Sequence, residues 1–200
     1  ETFEFSCTAT DSSGYTSTQS IAVLLYAQFT VASPYNQEIS APVGAVSYQG
    51  IIHAAWAAEC LSADCANFGS GMTSEIVYRR FDTTQNGWGQ VQSISGSFGG
   101  AAPTIAVDGM GKGQVFWSAR EQPDTVSHIY RRIIEEDGSL GEIEQVTDHN
   151  GDESELASSN APDGSIHVVW TRKHTDNSSS EICFTKVCSI EIRCNYKCFT

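Results

Sequence analysis

Apolar and polar residues alternate along most of this chain in short runs, as in Gly89-Gln-Val-Gln-Ser-Ile94, and no segment sustains an apolar period of 3.6 residues. A period of two is the pattern of half-buried strands, so the pattern predicts an all-β chain. Three of the runs end in tryptophan: Ile51-Ile-His-Ala-Ala-Trp56, Gln114-Val-Phe-Trp117 and Ile166-His-Val-Val-Trp170. Each follows a turn containing glycine (Gly50, Gly111 with Gly113, Asp163-Gly164) and, before it, a strand-like segment over 42–46, 103–107 and, more weakly, 155–158. That order predicts one hairpin made three times. A further strand follows each tryptophan, over 75–80, 128–132 and 181–186.

The first two units superpose without a gap when YRRFDTTQNGWGQVQSIS, from Tyr78, is laid on YRRIIEEDGSLGEIEQVT, from Tyr130; Gly89 then matches Gly141 and Trp88 matches Leu140. Four short strands repeating about every 50 residues fit the blades of a β-propeller, where each sheet buries its faces against its neighbours. The segments AAPTIAVDGMGKGQVFWSAR, HIYRR and DGSLGEIEQVT resemble the repeats of sialidase-like (Asp-box, or BNR-type) propellers over residues 40–187. The Asp box itself survives as the loose Asp82-Thr-Thr-Gln-Asn-Gly-Trp88. This reading places three four-stranded blades at 40–98, 101–149 and 152–187, within a propeller region of 31–187. A cysteine-rich tail follows at 188–200. Residues 1–30 break the pattern. FEFSCTATDSSGYTSTQSIAVLL resembles the last strands of an immunoglobulin-like hyalin-repeat (HYR) module, which implies a partial β-sandwich completed by other sequence.

Charge narrows the partners. With 24 acidic against 11 basic residues the net charge is −13, which repels a phosphate backbone and argues against nucleic acid. The longest apolar stretches, 21–27 and 50–58, fall short of the roughly 18 residues that span a bilayer, so no transmembrane segment is expected.

Seven cysteines (Cys7, Cys60, Cys65, Cys183, Cys188, Cys194 and Cys198) point to an oxidising, extracellular setting and to disulfides rather than zinc, since no His-x3-5-His pair accompanies them. Cys60 and Cys65 fall in the extra loop between Trp56 and Tyr78 and are expected to bridge each other; the other pairings stay open. The odd count leaves Cys7 to meet Cys194 or Cys198 of an adjoining segment. Asn177 heads the sequon Asn-Ser-Ser, a candidate glycosylation site.

Candidate chemistry is sparse. The doublets Arg79-Arg80 and Arg131-Arg132, with Arg120 and Arg172, invite comparison with the carboxylate-binding arginines of sialidases. Adjacent strand residues point to opposite faces, however, and pairing with the acidic surface explains them more simply. The resemblance brings no catalytic nucleophile or acid onto identifiable positions, so no catalytic residue is assigned and enzymatic activity is not expected. Asp148, Asn150 and Asp152 place oxygen side chains at alternate positions, which makes calcium the candidate ion; no other cofactor is implied. His53 and His167 each stand three residues before a tryptophan, a mark of the repeat that reads as packing.

The expectation that follows is a secreted structural or adhesive protein, part of a larger assembly or filament with copies of itself or adjoining extracellular modules. The alternative is a glycan-binding or glycan-cleaving propeller of the sialidase type.

Overall fold

A computed structural model describes residues 2–10, 16–24, 37–39, 42–60, 74–82, 87–96, 99–120, 126–174, 179–187 and 197–199, with side chains from residue 42 onward except 59 and 60. The chain divides into two units, Glu1–Tyr35 and Asn36–Thr200. The first contains an antiparallel pair, β1 (Thr2–Thr10) and β2 (Thr16–Leu24), in unbroken register from Thr2 opposite Leu24 to Thr10 opposite Thr16. The immunoglobulin-like expectation reaches no further than this pair among the described residues.

The second unit is three antiparallel sheets, each four strands wide. In the first, β3 (Gln37–Ile39) and β4 (Val43–Val46) share one flank of β5 (Ile52–Cys60), while β7 (Gly87–Trp88) and β8 (Gln92–Ser93) share the outer flank of β6 (Ser74–Asp82). Six strands therefore fill four positions. The second sheet runs β9 (Ala101–Val107), β10 (Gly113–Ala119), β11 (His128–Ile134) and β12 (Leu140–Gln145) in that spatial order. The third runs β13 (Gly151–Asn160), β14 (Ile166–His174), β15 (Ser180–Val187) and β16 (Lys197–Phe199). The tail thus supplies the outermost strand of the third sheet, where Cys198 lies opposite Cys183 and is bonded to it. That pairing removes Cys198 as a partner for Cys7.

The first strands gather together, with β9 packed against both β4 and β13, as the inner strands of successive propeller blades do. Their hairpins close with one turn used three times. The glycine N–H of Gly50, Gly111 and Gly164 donates to the carbonyl of Ser47, Asp108 and Ala161 at 2.9, 3.0 and 2.9 Å. All three glycines have φ near +80°, at 81, 86 and 80°, where a Cβ would be strained. The second and third turns touch through backbone, Gly109 N donating to Gly164 O at 2.9 Å.

Each tryptophan marks an interruption in the inner strand. Val43, Thr104 and Ala157 lie opposite the residue just before Trp56, Trp117 and Trp170, and among the described residues no inner-strand residue pairs with the tryptophans themselves. In the second and third sheets the irregularity is a bulge, with Ala102 at φ 48° and Glu155 at φ 55°. The extra length bends the inner strand where the largest side chain of the sheet stands.

Register corrects the gapless superposition. Trp56 lies opposite Val77, but Trp117 lies opposite Tyr130, so Val77 rather than Tyr78 is equivalent to Tyr130. A slip of one residue turns a side chain to the other face. Tyr78 therefore points from the first sheet towards the second and Tyr130 from the second towards the first, both into one core with Ala55, Ile76, Val115, Trp117 and Ile134. The same slip makes Arg79 equivalent to Arg132, and each donates Nε to the glycine carbonyl of the outer strand, Gly89 at 2.8 Å and Gly141 at 2.7 Å.

A second core, built from Ala106, Phe116, Ile129, Ile166, Val168, Trp170 and Cys183, joins the second and third sheets. At its centre Glu153, fully buried, accepts from Arg172 Nε (3.1 Å) and Nη2 (2.8 Å), from Trp170 Nε1 (3.1 Å) and from Thr147 Oγ1. The outer face of the third sheet is open. Ala55 and Phe116 are 0% exposed and their equivalent Val169 is 41%; Ile76 and Ile129 are 0% and their equivalent Ile182 is 57%.

Candidate functional site

Between the first two sheets, towards their outer edges, the described residues enclose a cavity of about 330 Å³. Alternation along β6 sends Tyr78, Arg80 and Asp82 into it, while Arg79 and Phe81 face away. Gly87 and Gly89 line it as well, and having no side chains they leave it open. Trp88, between them, turns its ring to the opposite face, where it meets Phe81 edge-on at 5.3 Å and lies beneath the Arg79 guanidinium at 5.6 Å. Gln90 and Gln92 line one side, and Asp137 and Gly138, from the turn between β11 and β12, form the opposite wall.

Arg80 spans the cleft. Its Nη1 donates to Glu136 O at 2.7 Å, and its Nη2 stands 3.9 Å from Asp82 Oδ2. A Cβ at position 138 would come within 2.9 Å of Nη1, so the guanidinium passes where only glycine allows it. Gly138 also adopts φ 86°, which suits the turn. Asp137 Oδ1 accepts from Ser139 N (2.8 Å) and Ser139 Oγ (2.6 Å), and these bonds, with a smaller contribution from Arg80, hold its carboxyl below the usual range. Gln92 donates Nε2 to Gly138 O at 3.4 Å, while its Oε1 accepts no hydrogen bond from any described residue.

At the back of the cleft Tyr78 Oη shares a 2.8 Å hydrogen bond with His53 Nδ1. Burial, and then the Arg80 charge, lower the His53 pKa to about 4, and burial raises that of Tyr78. His53 is therefore a neutral imidazole at pH 7. It fits beneath Gly113, where a Cβ would lie 2.8 Å from Nδ1. The pair is a buried support for the cleft, in keeping with the packing role expected of His53.

The arginine doublets part as the strand geometry requires. Arg131 pairs with Glu144 at 2.6 Å, while Arg132 reaches back to Ile94 O of the first sheet at 3.1 Å. Arg120 pairs with Asp152 at 3.0 Å and Arg172 with Glu153 at 2.8 Å. Of these arginines only Arg80 lines the cleft.

Of the candidate calcium oxygens, Asp152 Oδ1 accepts from Arg120 Nη2 and Ser127 N, each at 3.0 Å, and from Ser127 Oγ at 3.2 Å. Asp148 and Asn150 are exposed. An ion there would compete with Arg120 and Ser127 for that oxygen. Cys60 closes β5, and Cys65, Cys188, Cys194 and Asn177 lie outside the described residues; Cys7 lies on β1 opposite Gln19. Glu181, Cys183 and Cys198 bring potential ligand atoms within 4.8 Å of one another, but the two sulfurs are bonded together.

The sequence did not single out Gln90, Gln92, Asp137 or Gly138. Two signals lay nearby: the degenerate Asp box contributes Asp82 and Gly87 to the cleft, and Asp137-Gly138-Ser139 is a turn motif.

No family model matches the chain, and no curated protein matches it. Solved structures do. A fucose lectin from Kordia zhangzhouensis, in complex with methyl-fucoside, aligns at 13% identity and a TM-score of 0.44 over 80% of this chain and 98% of its own. The NanB sialidase from Streptococcus pneumoniae aligns at 14% identity and a TM-score of 0.44, over 88% of this chain and 26% of the sialidase. The intramolecular trans-sialidase from Ruminococcus gnavus aligns at 13% identity and a TM-score of 0.40, over 83% of this chain and 33% of the enzyme. The chain thus spans about a quarter and a third of these two enzymes.

Proposed function

We propose that the chain is a glycan-binding module whose site is the cleft between its first two sheets. One observation carries this reading: a cavity of about 330 Å³ lined by a guanidinium, two carboxylates and two amides over a glycine floor. Sugar hydroxyls both donate and accept, and such mixed, convergent polar groups match them. Binding rather than cleavage is the activity proposed. A glycan array probed with the native chain and with Gly89→Val tests it. Position 89 has room for a Cβ, 3.6 Å from Arg80 O, so the larger side chain fills the cleft while the Arg80 bridge stays. Signals lost in Gly89→Val support the site; signals unchanged by it, or absent from the native chain, refute it.

A second reading, a module of an extracellular assembly, is favoured by the open face of the third sheet. Its positions seat the next sheet in both earlier cases, and here they leave Val169, Ile182 and Phe199 exposed, with Phe199 stacked on Phe184 at 6.0 Å. Strand alternation puts Lys173, Lys186 and Lys197, three of the four lysines of a chain with net charge −13, on the same face. A second copy offers the acidic surface this face complements, and it is the occupant proposed. Sedimentation velocity should show association that weakens with salt and with Ile182→Lys. A monomer at every concentration would end this reading.

A further inference from the structure

Among the described residues, the one guanidinium lining the cleft does not stand there as an unopposed cation. Arg80 has one nitrogen committed to Glu136 O at 2.7 Å, the other 3.9 Å from the Asp82 carboxylate, and Asp137 on the facing wall. Counted over the lining side chains, one positive charge meets two negative ones. A ligand carboxylate or sulfate entering here would have to take Arg80 from Asp82 and would face Asp137 with no further cation to offset it. Arg79 is turned away onto Trp88, and Arg132 gives Nε to Gly141 O and Nη1 to Ile94 O, so neither doublet adds a second cation to the lining.

What the cleft does offer is acceptors. Asp82 and Asp137 carry carboxylate oxygens on its walls. A neutral sugar brings hydroxyl donors to these groups and an oxygen acceptor to the Arg80 N–H, without like-charge repulsion.

We infer that the cleft selects neutral, hydroxyl-rich saccharides and discriminates against those bearing a carboxylate or sulfate. The inference rests on the glycan-binding reading and sharpens it. It also runs against the carboxylate-binding role that the arginine doublets invite.

Isothermal titration of the full chain with two sets of probes tests it: the methyl glycosides of fucose, galactose and mannose, and the methyl glycosides of sialic acid and glucuronic acid. The best neutral probe is expected to bind at least about tenfold more tightly than either acidic one, the scale of one uncompensated charge at close range. Asp137→Asn keeps an acceptor for the turn while removing the charge, and Asp82→Asn does the same beside Arg80. Each should narrow the ratio between the two sets, and the double variant should narrow it most. Acidic probes that bind as well as neutral ones, with loss in Gly89→Val, would overturn the selectivity and leave the glycan site standing. Binding by neither set would overturn both. A neutral preference unchanged by the two Asn variants would assign it to shape and overturn the electrostatic argument.

Discussion

His53 shows how much one buried side chain can govern. Its pKa in the folded chain is about 4 against the ordinary imidazole value of 6.5, so the unfolded chain binds the proton more readily. The stability it contributes is therefore fully present above pH 6.5 and is lost as pH falls towards 4, by about 1.4 kcal/mol per pH unit and about 3 kcal/mol in all. Urea unfolding of the native chain and of His53→Gln between pH 4 and 7 should converge at the acid end; parallel curves would mean that His53 titrates normally. Glu153 is a second buried group, its side chain held by hydrogen bonds from Arg172, Trp170 and Thr147. Glu153→Ala takes from Arg172 its nearer carboxylate, leaving Glu181 3.9 Å from Nη1, and should cost about 3 kcal/mol in the same assay. Neither environment was legible in the sequence. His53 and His167 occupy the same repeat position, but one is 2% exposed under the second sheet and the other lies on the open face.

At the scale of the strand, the sequence announced the elements well and their register poorly. Trp56, Trp117 and Trp170 stood out because a hairpin with glycine in its turn must carry its largest residue at a fixed place. The bulges beside them could not be seen, since Ala102 and Glu155 are ordinary residues forced to positive φ by the pairing on either side. Left-handed backbone at a residue with a Cβ costs about 1–2 kcal/mol. Ala102→Gly is therefore expected to raise the melting temperature slightly despite the entropy of glycine, and a lower value would show that the bulge is not strained. The slip between Tyr78 and Tyr130 has the same origin: matched letters gave no warning that the sheets differ by one residue there, and only cross-strand partners reveal it. β16 was hidden as well, because its three residues read as tail until Cys198 meets Cys183 across the strand pair. Closing a loop of 15 residues should contribute about 3 kcal/mol, so Cys198→Ser ought to lower the unfolding free energy by a like amount and the midpoint with it. An unchanged midpoint would show that the bridge does not hold β16.

Across the whole molecule, three sheets stack so that the Trp117 face of the second and the Trp170 face of the third each meet the sheet before, and the cleft lies between the outer edges of the first two. The architecture was legible because repetition advertises it. The cleft was not, because its lining comes from the last two strand positions of one repeat and a turn of the next, which no local pattern connects. The proposed saccharide sits in this space between repeats. Amide chemical-shift mapping by ¹⁵N NMR, during titration with the best neutral methyl glycoside, tests it most directly. The expected result is a saturable set of shifts centred on Gly87, Gly89, Gln92 and Gly138, while the exposed turn at Tyr48 and Met110 stays still. Shifts confined to that turn or to the third sheet, or none at all, would contradict the account.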